Sequence, residues 1–297
     1  MPDVIIIGGG PAGTTAAIYT ARANFNTTII YKNYGALENA ELVGNFYGFS
    51  KISGKSLFEK GLIQARMNGA KTIAGEVVGL RKKDDCLIVE TENASYESKT
   101  ALLATGANRD TPKITGIAET EGRGISYCAI CDGFFYRGKE VAVLGSGAYA
   151  LHEVEDLLPL ASKITLLTNG EEPSVNFPDS VFIRKDKILE IKNEKSKILI
   201  PGLNEQKKLK SVIFETGEEL PLSGLFVAVG IAGGTELARK IGAAVDSAGS
   251  VIADSEMRTS VPGLWAAGDS VGGLKQIVKA SHEGAIAGIN IAKFLRG

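Results

Sequence analysis

The chain is poor in the residues that most often bind metals. It has three cysteines and two histidines among 297 residues. A structural zinc site built on a Cys-X-X-Cys pair usually needs a second pair of Cys or His ligands. Cys128 and Cys131 form one pair, but Cys86, His152 and His282 are scattered along the chain. The sequence therefore predicts no metal site, and the pair is left for thiol redox chemistry or a structural disulfide.

A strong charge of one sign and long apolar runs are also missing. Lys+Arg total 33 against Asp+Glu 34, a formal net charge of −1, so neither nucleic acid nor an anionic membrane is indicated as a partner. No apolar run approaches the length of a membrane span, and the first strand is predicted to begin at about Asp3, which leaves no room for a signal peptide. We expect a cytoplasmic protein. Cysteines normally stay reduced there, so an adjacent pair is more naturally catalytic than structural.

Glycine, by contrast, is plentiful, with 36 residues. Val4–Ile7 is a short apolar run typical of a buried parallel strand, and it leads into the glycine-rich turn from Gly8 to Gly13. A helical stretch from Thr14 to Ala23 follows, and Thr27–Tyr31 is predicted as the next strand. Strand, glycine turn and helix come in the order that a dinucleotide site requires, because the turn lets a pyrophosphate approach the helix N-terminus.

The same arrangement occurs a second time. Val141–Leu144 is an apolar run, Gly145-Ser146-Gly147 follows it, and a helix is predicted for Ala148–Leu158 before a strand at Lys163–Thr168. One such glycine motif is weak evidence, whereas two motifs framed by strand and helix are much stronger. The sequence predicts an α/β fold with two nucleotide-binding, Rossmann-like domains of three layers (ββα), one inserted in the other.

Three further segments indicate how the two domains share the chain. The apolar strand at Ala101–Ala104 ends in Thr105-Gly106, Gly263–Asp269 repeats the theme of strand then glycine, and Gln276–Phe294 has a helical pattern. We predict a discontinuous outer domain of residues 1–112 plus 243–297. The inserted domain would span residues 113–242, with hinges near Thr111-Pro112 and Gly242-Ala243.

Cys128-Ala129-Ile130-Cys131-Asp132 carries the clearest chemistry. Two cysteines at this spacing can close a disulfide across one turn, and a helix that begins beside them lowers the pKa of one thiol so that it attacks as a thiolate. The neighbouring Asp132 can supply or remove the proton that each half of the exchange requires. The motif predicts a redox-active pair.

Together these segments resemble the low-molecular-weight thioredoxin reductase family of flavoproteins over essentially the whole chain. The resemblance implies FAD as cofactor in the outer domain, with the glycine turn at its pyrophosphate, Asp269 at the ribityl chain, and Asn45 and the Lys275-Gln276-Ile277 triplet near the flavin. The FAD-binding residues it implies are Gly8, Gly10, Pro11, Ala12, Gly13, Asn45, Thr105, Gly106, Gly268, Asp269, Lys275, Gln276 and Ile277.

The same resemblance implies roles for the redox residues. Cys131 would lie against the flavin, Cys128 would attack the disulfide of a thioredoxin-type protein, and Asp132 would donate the proton. It also implies a homodimer, and an inserted domain that rotates to present the thiol pair to its partner. From the residues alone, Asp269 is equally well explained as a cap of the final helix.

The chain departs from this family at the nucleotide site of the inserted domain. NADPH-dependent members carry a His-Arg-Arg run and a further arginine after the strand that corresponds to Lys163–Thr168, because a phosphate dianion needs fixed cations. Here Glu171 and Glu172 stand in that place, and two carboxylates repel a phosphate. The following segment, Pro173–Asp179, is short, and Tyr149 could obstruct the cleft where a dinucleotide would lie.

The source of the electrons therefore has several alternatives. NADH stays open because Glu171 could bind its adenosine ribose. The loop Asn33–Leu37 and the missing phosphate site resemble the ferredoxin-dependent flavin thioredoxin reductases, in which FAD accepts single electrons and passes on a pair. A low-potential ferredoxin at about −400 mV can reduce a thioredoxin at about −270 mV. An oxygen-dependent dithiol oxidase and a non-catalytic flavin redox sensor are the remaining hypotheses.

An acidic ferredoxin would need a basic face on this protein. Three short basic runs are candidates for that face: Arg81-Lys82-Lys83, Arg184-Lys185 with Lys187, and Lys207-Lys208 with Lys210.

Overall fold

The structure is a computed structural model that describes residues 1–106, 112–120, 123–195, 207–230 and 233–297. In chain order its strands are β1 (Val4–Ile7), β2 (Thr27–Tyr31), β3 (Lys71–Ala74), β4 (Val77–Lys83), β5 (Cys86–Thr91), β6 (Ser95–Ser98), β7 (Thr100–Leu103), β8 (Ile125–Ser126), β9 (Glu140–Leu144), β10 (Lys163–Leu167), β11 (Phe182–Arg184), β12 (Ile188–Lys195), β13 (Lys207–Phe214), β14 (Glu219–Pro221), β15 (Gly224–Val227) and β16 (Leu264–Ala266). The helices are α1 (Pro11–Arg22), α2 (Gly54–Met67), α3 (Ala129–Asp132), α4 (Ala148–Leu157), α5 (Gly234–Lys240) and α6 (Ile277–Arg296).

The chain forms two compact units, Met1–Arg109 with Ala232–Gly297, and Asp110–Ile231. Helix α5 precedes residue 243 and packs against β4, so it falls in the first unit. The boundaries predicted at residues 112 and 243 stay a prediction, and Thr111, at one expected hinge, lies outside the described residues.

The first unit is built on a parallel five-stranded sheet of order β16-β7-β1-β2-β3 and an antiparallel sheet of order β4-β5-β6. Strand side chains alternate between the two faces of a sheet. Val4, Ile6 and Ile29 accordingly join one apolar core with residues of α1, α2 and α6. Strand β1 is buried along its whole length, as its uninterrupted apolar sequence predicts.

Small residues let α6 approach α1 closely. A Cβ atom on Gly284 would lie 2.2 Å from the Ala12 carbonyl oxygen, and one on Gly288 would lie 2.8 Å from that of Ala16. The glycines in the predicted Gln276–Phe294 helix are therefore needed for packing inside this unit. Helix α1 begins at Pro11, three residues earlier than predicted. Proline suits the first turn of a helix because the N–H groups there have no acceptor within the helix, and proline has no N–H to leave unpaired.

The second unit repeats the plan with a parallel sheet of order β11-β10-β9-β15-β8 and an antiparallel sheet of order β12-β13-β14. Ala142 and Leu144 of β9 share an apolar core with the antiparallel sheet, which contributes Ile191, Val212 and Phe214. Helix α4 also packs against β9. The predicted α/β class with two Rossmann-like domains is confirmed, since each unit combines a parallel sheet, helices and a small antiparallel sheet.

Candidate active site

Cys128 and Cys131 form a disulfide at the start of the four-residue helix α3, with their Cα atoms 5.3 Å apart. Cys128 is the N-cap residue of that helix in an extended conformation. Its side chain is almost completely buried, at 2 % exposed, whereas Cys131 is exposed. The two cysteine residues therefore differ in their exposure to solvent, although only three positions separate them in the chain.

A serine before the disulfide orients the acid after it. The Ser126 hydroxyl lies 2.6 Å from Asp132 Oδ2 and accepts the N–H of Cys128 at 3.1 Å. Asp132 is partly buried, and its own N–H donates to the Cys128 carbonyl at 3.1 Å. Burial, and then the nearby Asp132 carboxylate, raise the pKa of the Tyr136 phenol. The segment from Ser126 to Asp132 thus holds the Asp132 carboxyl in a fixed position beside the two cysteines.

Two side chains of helix α4 bind the backbone beside the disulfide, at Tyr127 and Ala129. The hydroxyl of fully buried Tyr149 donates to the Tyr127 carbonyl at 3.0 Å. The Glu153 carboxylate, 1 % exposed, accepts the N–H of Ala129 at 2.6 Å. The expectation that Tyr149 obstructs the nucleotide cleft is wrong, because its ring points into the protein and its hydroxyl binds the redox segment.

The first glycine turn has the shape that a pyrophosphate requires. A Cβ atom on Gly8, whose φ is +115°, would lie 2.1 Å from the Ala104 carbonyl oxygen, and one on Gly13 would lie 2.0 Å from that of Gly8. A Cβ on Gly10 would meet nothing within 4 Å. Gly8 and Gly13 therefore make the turn and pack the helix, while Gly10 leaves open space at the N-terminus of α1, where Pro11 and Ala12 begin the helix. These residues fit the diphosphate of FAD.

Other residues expected at the flavin also occur together in the first unit. Asn45 Nδ2 donates to Gln276 Oε1 at 3.1 Å, although 231 residues separate them. Lys275 is exposed and Ile277 begins α6. The Thr105 hydroxyl is buried, and among the described residues it has no hydrogen-bond partner, which suits a polar ligand. Gly106 has φ +85°, which favours glycine at that turn.

The Gly268-Asp269 turn is held by an ion pair from α6. Glu283 accepts the N–H of Gly268 at 2.8 Å, and Lys279 donates to the carbonyls of Gly268 and Gly272 at 2.9 and 2.6 Å. Lys279 and Glu283 lie 2.9 Å apart. The N-cap residue of α6 is Gln276, so Asp269 does not cap the final helix and its carboxylate is left for another task.

The second glycine turn differs from the first because the chain itself covers it. The N–H of Ser174 donates to the Ser146 carbonyl at 2.8 Å, and the Ser174 hydroxyl lies 3.2 Å from the same oxygen. The Ser146 hydroxyl donates to Glu171 Oε2 at 2.5 Å. A Cβ on Gly147, which occupies the position of Gly10 in the first turn, would meet the Ser174 hydroxyl at 3.4 Å. The segment after β10 therefore lies against the loop where a dinucleotide phosphate would bind.

Five of the nine cations in the three basic runs form ion pairs with carboxylates. Ion pairs join Arg81 to Glu90, Arg184 to Asp186 and Glu218, Lys185 to Glu172, Lys207 to Glu119, and Lys210 to Glu219. Of the helices in the described part of the chain, none has the combined length and apolar character that a membrane crossing requires.

Ser126, Glu153, Ser174, Lys279 and Glu283 were not found from the sequence. Only Glu153 had a usable signal, because it lies on the apolar face of α4 among Tyr149, Ala150, Val154 and Leu157. A carboxylate at such a position needs a buried partner.

Comparisons with known proteins agree with this geometry. Residues 2–284 match the family model described as pyridine nucleotide-disulphide oxidoreductase. The thioredoxin reductase of Aquifex aeolicus is 36 % identical over 307 residues, covering 99 % of this chain and 94 % of that protein. The thioredoxin reductase of Listeria innocua is 34 % identical over 300 residues, covering 99 % and 93 %.

Two solved structures are similar over nearly the whole chain. The atypical thioredoxin reductase TRi from Desulfovibrio vulgaris Hildenborough has a TM-score of 0.88 and 33 % identity, with 100 % of this chain and 98 % of that chain covered. A ferredoxin-flavin thioredoxin reductase from Clostridium acetobutylicum has a TM-score of 0.71 and 28 % identity, covering 99 % and 98 %. The chain therefore belongs to the pyridine nucleotide-disulphide oxidoreductase family, among the thioredoxin reductases, which are flavin-dependent disulfide oxidoreductases with FAD as cofactor.

Proposed function

We propose that this thioredoxin reductase takes its electrons from a reduced ferredoxin-type iron–sulfur protein and not from NADPH. One observation carries the proposal: the glycine turn of the second unit is covered by Ser174 and bound by the Glu171 carboxylate through Ser146. A dinucleotide phosphate needs the open loop and free helix N-terminus that Gly10 offers in the first unit.

The charges near the second glycine turn also disfavour NADPH. Glu171 and Glu172 follow β10, where an NADPH site needs cations for the 2′-phosphate. The nearby cation Lys185 is already paired with Glu172 at 2.6 Å. A phosphate dianion entering this place would meet two carboxylates and a partly neutralised lysine. NADH is not favoured either, because the Glu171 carboxylate that would bind its ribose is engaged by the Ser146 hydroxyl.

One set of residues would bind the FAD cofactor, and a separate set would carry out the thiol exchange. The turn from Gly8 to Gly13 would hold the FAD diphosphate, and Thr105, Asn45, Gln276 and Asp269 would hold the rest of the cofactor. FAD, when bound, accepts electrons one at a time and delivers them as a pair, which suits a one-electron iron–sulfur donor. A similar solved structure is itself a ferredoxin-flavin thioredoxin reductase.

On the product side, the Cys128/Cys131 pair would reduce a thioredoxin-type disulfide. Cys131 would receive the electron pair, Cys128 would attack the partner's sulfur, and Asp132, fixed by Ser126, would donate a proton. Ile130, Phe134 and Phe135 are exposed around the pair, with Phe134 at 67 %, and such an apolar surface suits a protein substrate. Cys128 is buried, so attack requires a movement that exposes it.

The proposal includes a cytoplasmic location and a homodimer, both of which rest on the family resemblance. It ranks an oxygen-dependent dithiol oxidase and a passive flavin sensor below the reductase. Asp132 is held against Ser126 beside the disulfide, an arrangement that a passive sensor does not need.

The deciding experiment is an anaerobic reduction of the FAD-loaded protein by NADPH, NADH or a chemically reduced low-potential ferredoxin. We expect ferredoxin to bleach the visible flavin band and then to support reduction of thioredoxin, measured as new thiols. NADPH and NADH should leave the band unchanged. Rapid bleaching by NADPH or NADH would overturn the proposal. Thiol formation driven by ferredoxin that persists in Cys128→Ser would show that the Cys128/Cys131 pair takes no part in the reaction.

A further inference from the structure

The redox helix α3 is too short to do what a helix N-terminus usually does for a Cys-X-X-Cys pair. A long helix stabilises the N-terminal thiolate through its dipole and its free N–H groups, and this lowers the thiol pKa. Here α3 has only four residues, and the first of its N–H groups, that of Ala129, already donates to Glu153 Oε2 at 2.6 Å. The group nearest to Cys128 along the chain is therefore engaged by a carboxylate and not by sulfur.

Glu153 is buried to 1 % exposure on the face of α4 that packs against α3. A backbone N–H donated to a carboxylate favours its ionised form. Glu153 shares a cluster with His152 and Asp156, whose ligand atoms all lie within 4.8 Å of one another. An ionised Glu153 would oppose the formation of a thiolate at Cys128, because like charges repel and both residues are buried. Since the reduced pair gains stability from its thiolate, the disulfide form becomes relatively more stable and the pair a stronger reductant.

We propose that Glu153 is a positioning residue that holds the Ala129 N–H and makes the reduction potential of the Cys128–Cys131 disulfide more negative. Reduction of this disulfide consumes two electrons and two protons and gives the two thiols. An enzyme that reduces thioredoxins needs such a potential, because thioredoxin is itself a strong reductant. The inference rests on the redox role of the pair proposed above, but not on the electron donor.

Other titratable groups surround this contact and act on the same thiols. Asp132 and Tyr136 follow the disulfide, and Tyr127 precedes it. On the elements packed against α3 and α4, the remaining groups are Tyr149, His152, Glu155, Asp156 and Glu140. His152 Nδ1 pairs with Asp156 Oδ2 at 3.4 Å on the same helix. Glu153 is distinguished from the other carboxylates by its bond to the backbone between the two cysteines.

Glu153→Gln is the informative substitution, because the amide oxygen can still accept the Ala129 N–H while the charge is lost. The FAD-loaded protein, in a Cys86→Ser background, is equilibrated with dithiothreitol redox buffers. The reduced fraction is then measured by alkylation and mass spectrometry of the Cys128/Cys131 peptide. We expect the equilibrium constant to shift toward the dithiol, by roughly tenfold or about 30 mV toward a less negative potential when the buffer pH lies above the thiol pKa, and by less at lower pH, where little thiolate forms. The alkylation rate of Cys128 should also reach its plateau at lower pH.

Two matched controls separate charge from mechanical support. Tyr149→Phe removes the other hydrogen bond between α4 and this segment without changing charge, and Glu155→Gln removes an exposed charge from the same helix. Both should keep the wild-type potential. An unchanged potential in Glu153→Gln, or an equal shift in Tyr149→Phe, would overturn the inference.

A second measurement needs no variant of Glu153. In the reduced wild-type protein, the pH dependence of Cys128 alkylation should give a thiol pKa at or above the ordinary value of about 8.5. A thiol pKa well below that value would contradict the inference even where Glu153→Gln did not fold. A pair that no redox buffer reduces would instead refute the redox role proposed for it, and would leave the electron donor to the separate flavin experiment.

Discussion

At the scale of single residues, the two cysteines of the redox pair have unequal environments. Cys128 is buried at the start of α3, and Cys131 is exposed three residues later. Sequence spacing alone makes them equivalent. The assignment of Cys128 as attacking thiol came from the family resemblance, and it can be tested without any electron donor.

We expect Cys131→Ser to trap a mixed disulfide with thioredoxin. The thioredoxin used lacks its resolving cysteine and carries its other cysteine as a mixed disulfide with thionitrobenzoate. The remaining Cys128 thiolate attacks that disulfide, thionitrobenzoate leaves, and the protein–protein disulfide persists because no second thiol in either protein resolves it. Non-reducing electrophoresis and mass spectrometry would show the linked species. Cys128→Ser should trap none, and Cys86→Ser should behave as wild type. Trapping by Cys128→Ser in place of Cys131→Ser would reverse the assigned roles.

At the scale of elements, the two strand–turn–helix units look alike in sequence and differ in what lies against their turns. Gly10 and Gly147 both precede a helix in an extended conformation that other residues readily adopt. The space beside Gly10 is open, and the space beside Gly147 contains the Ser174 hydroxyl. The same motif is therefore open beside Gly10 and in contact with the chain's own Ser174 beside Gly147, which fits the proposed difference in ligand binding.

Alanine at these two positions should give opposite results. We expect Gly10→Ala to keep or slightly raise the stability of the apoprotein, by up to about 1 kcal/mol. Its new methyl group enters the space for the diphosphate, so FAD affinity should fall roughly tenfold or more, about 1.4 kcal/mol. Gly147→Ala should leave both FAD affinity and ferredoxin-driven turnover unchanged, because its Cβ makes only an ordinary contact at 3.4 Å.

Thermal unfolding of the apoproteins and fluorescence titration with FAD would measure these effects. Gly13→Ala is a useful reference, since its Cβ would lie 2.0 Å from the Gly8 carbonyl oxygen and must disturb the fold. Turnover lost in Gly147→Ala with FAD still bound would mean that a ligand does use the second turn, against the proposed donor.

At the scale of the whole molecule, positive and negative side chains are nearly equal in number, and many of them are paired with each other on the surface. The formal net charge is −1, and most cations of the three basic runs are joined to carboxylates. None of the three runs was confirmed as a ferredoxin-binding face. Exposed pairs of this kind add little stability, so they remain available for exchange with carboxylates of a partner.

We expect two copies of the chain to associate in solution. The family resemblance implies a homodimer, and sedimentation equilibrium should then give twice the chain mass of 31.3 kDa. Measurements with and without FAD would show whether the cofactor is needed for association. A mass equal to one chain at micromolar concentration would contradict the expectation.

Much of the fold was predictable because its signals are local. Apolar β1, the glycine turn and α1 are consecutive in the chain, and so are β9, its turn and α4, so their order alone indicates two Rossmann-like units. The Cys128–Cys131 disulfide also joins near neighbours. These features predicted the α/β class, a dinucleotide-type glycine turn and the redox pair, and the order of the motifs along the chain carries the resemblance that implies a flavin.

What the sequence by itself determined is therefore the kind of fold and the thiol pair, since each depends on residues within one turn or one motif, and the cofactor class, which the order of the motifs implies through the family resemblance. Only the tertiary structure decided how Glu153 reaches Ala129, how Tyr149 turns inward to Tyr127, and how Ser174 covers Ser146. These contacts span 24, 22 and 28 residues. The packing of helices and loops on the sheet decides such pairings, and no local pattern of residue types encodes them.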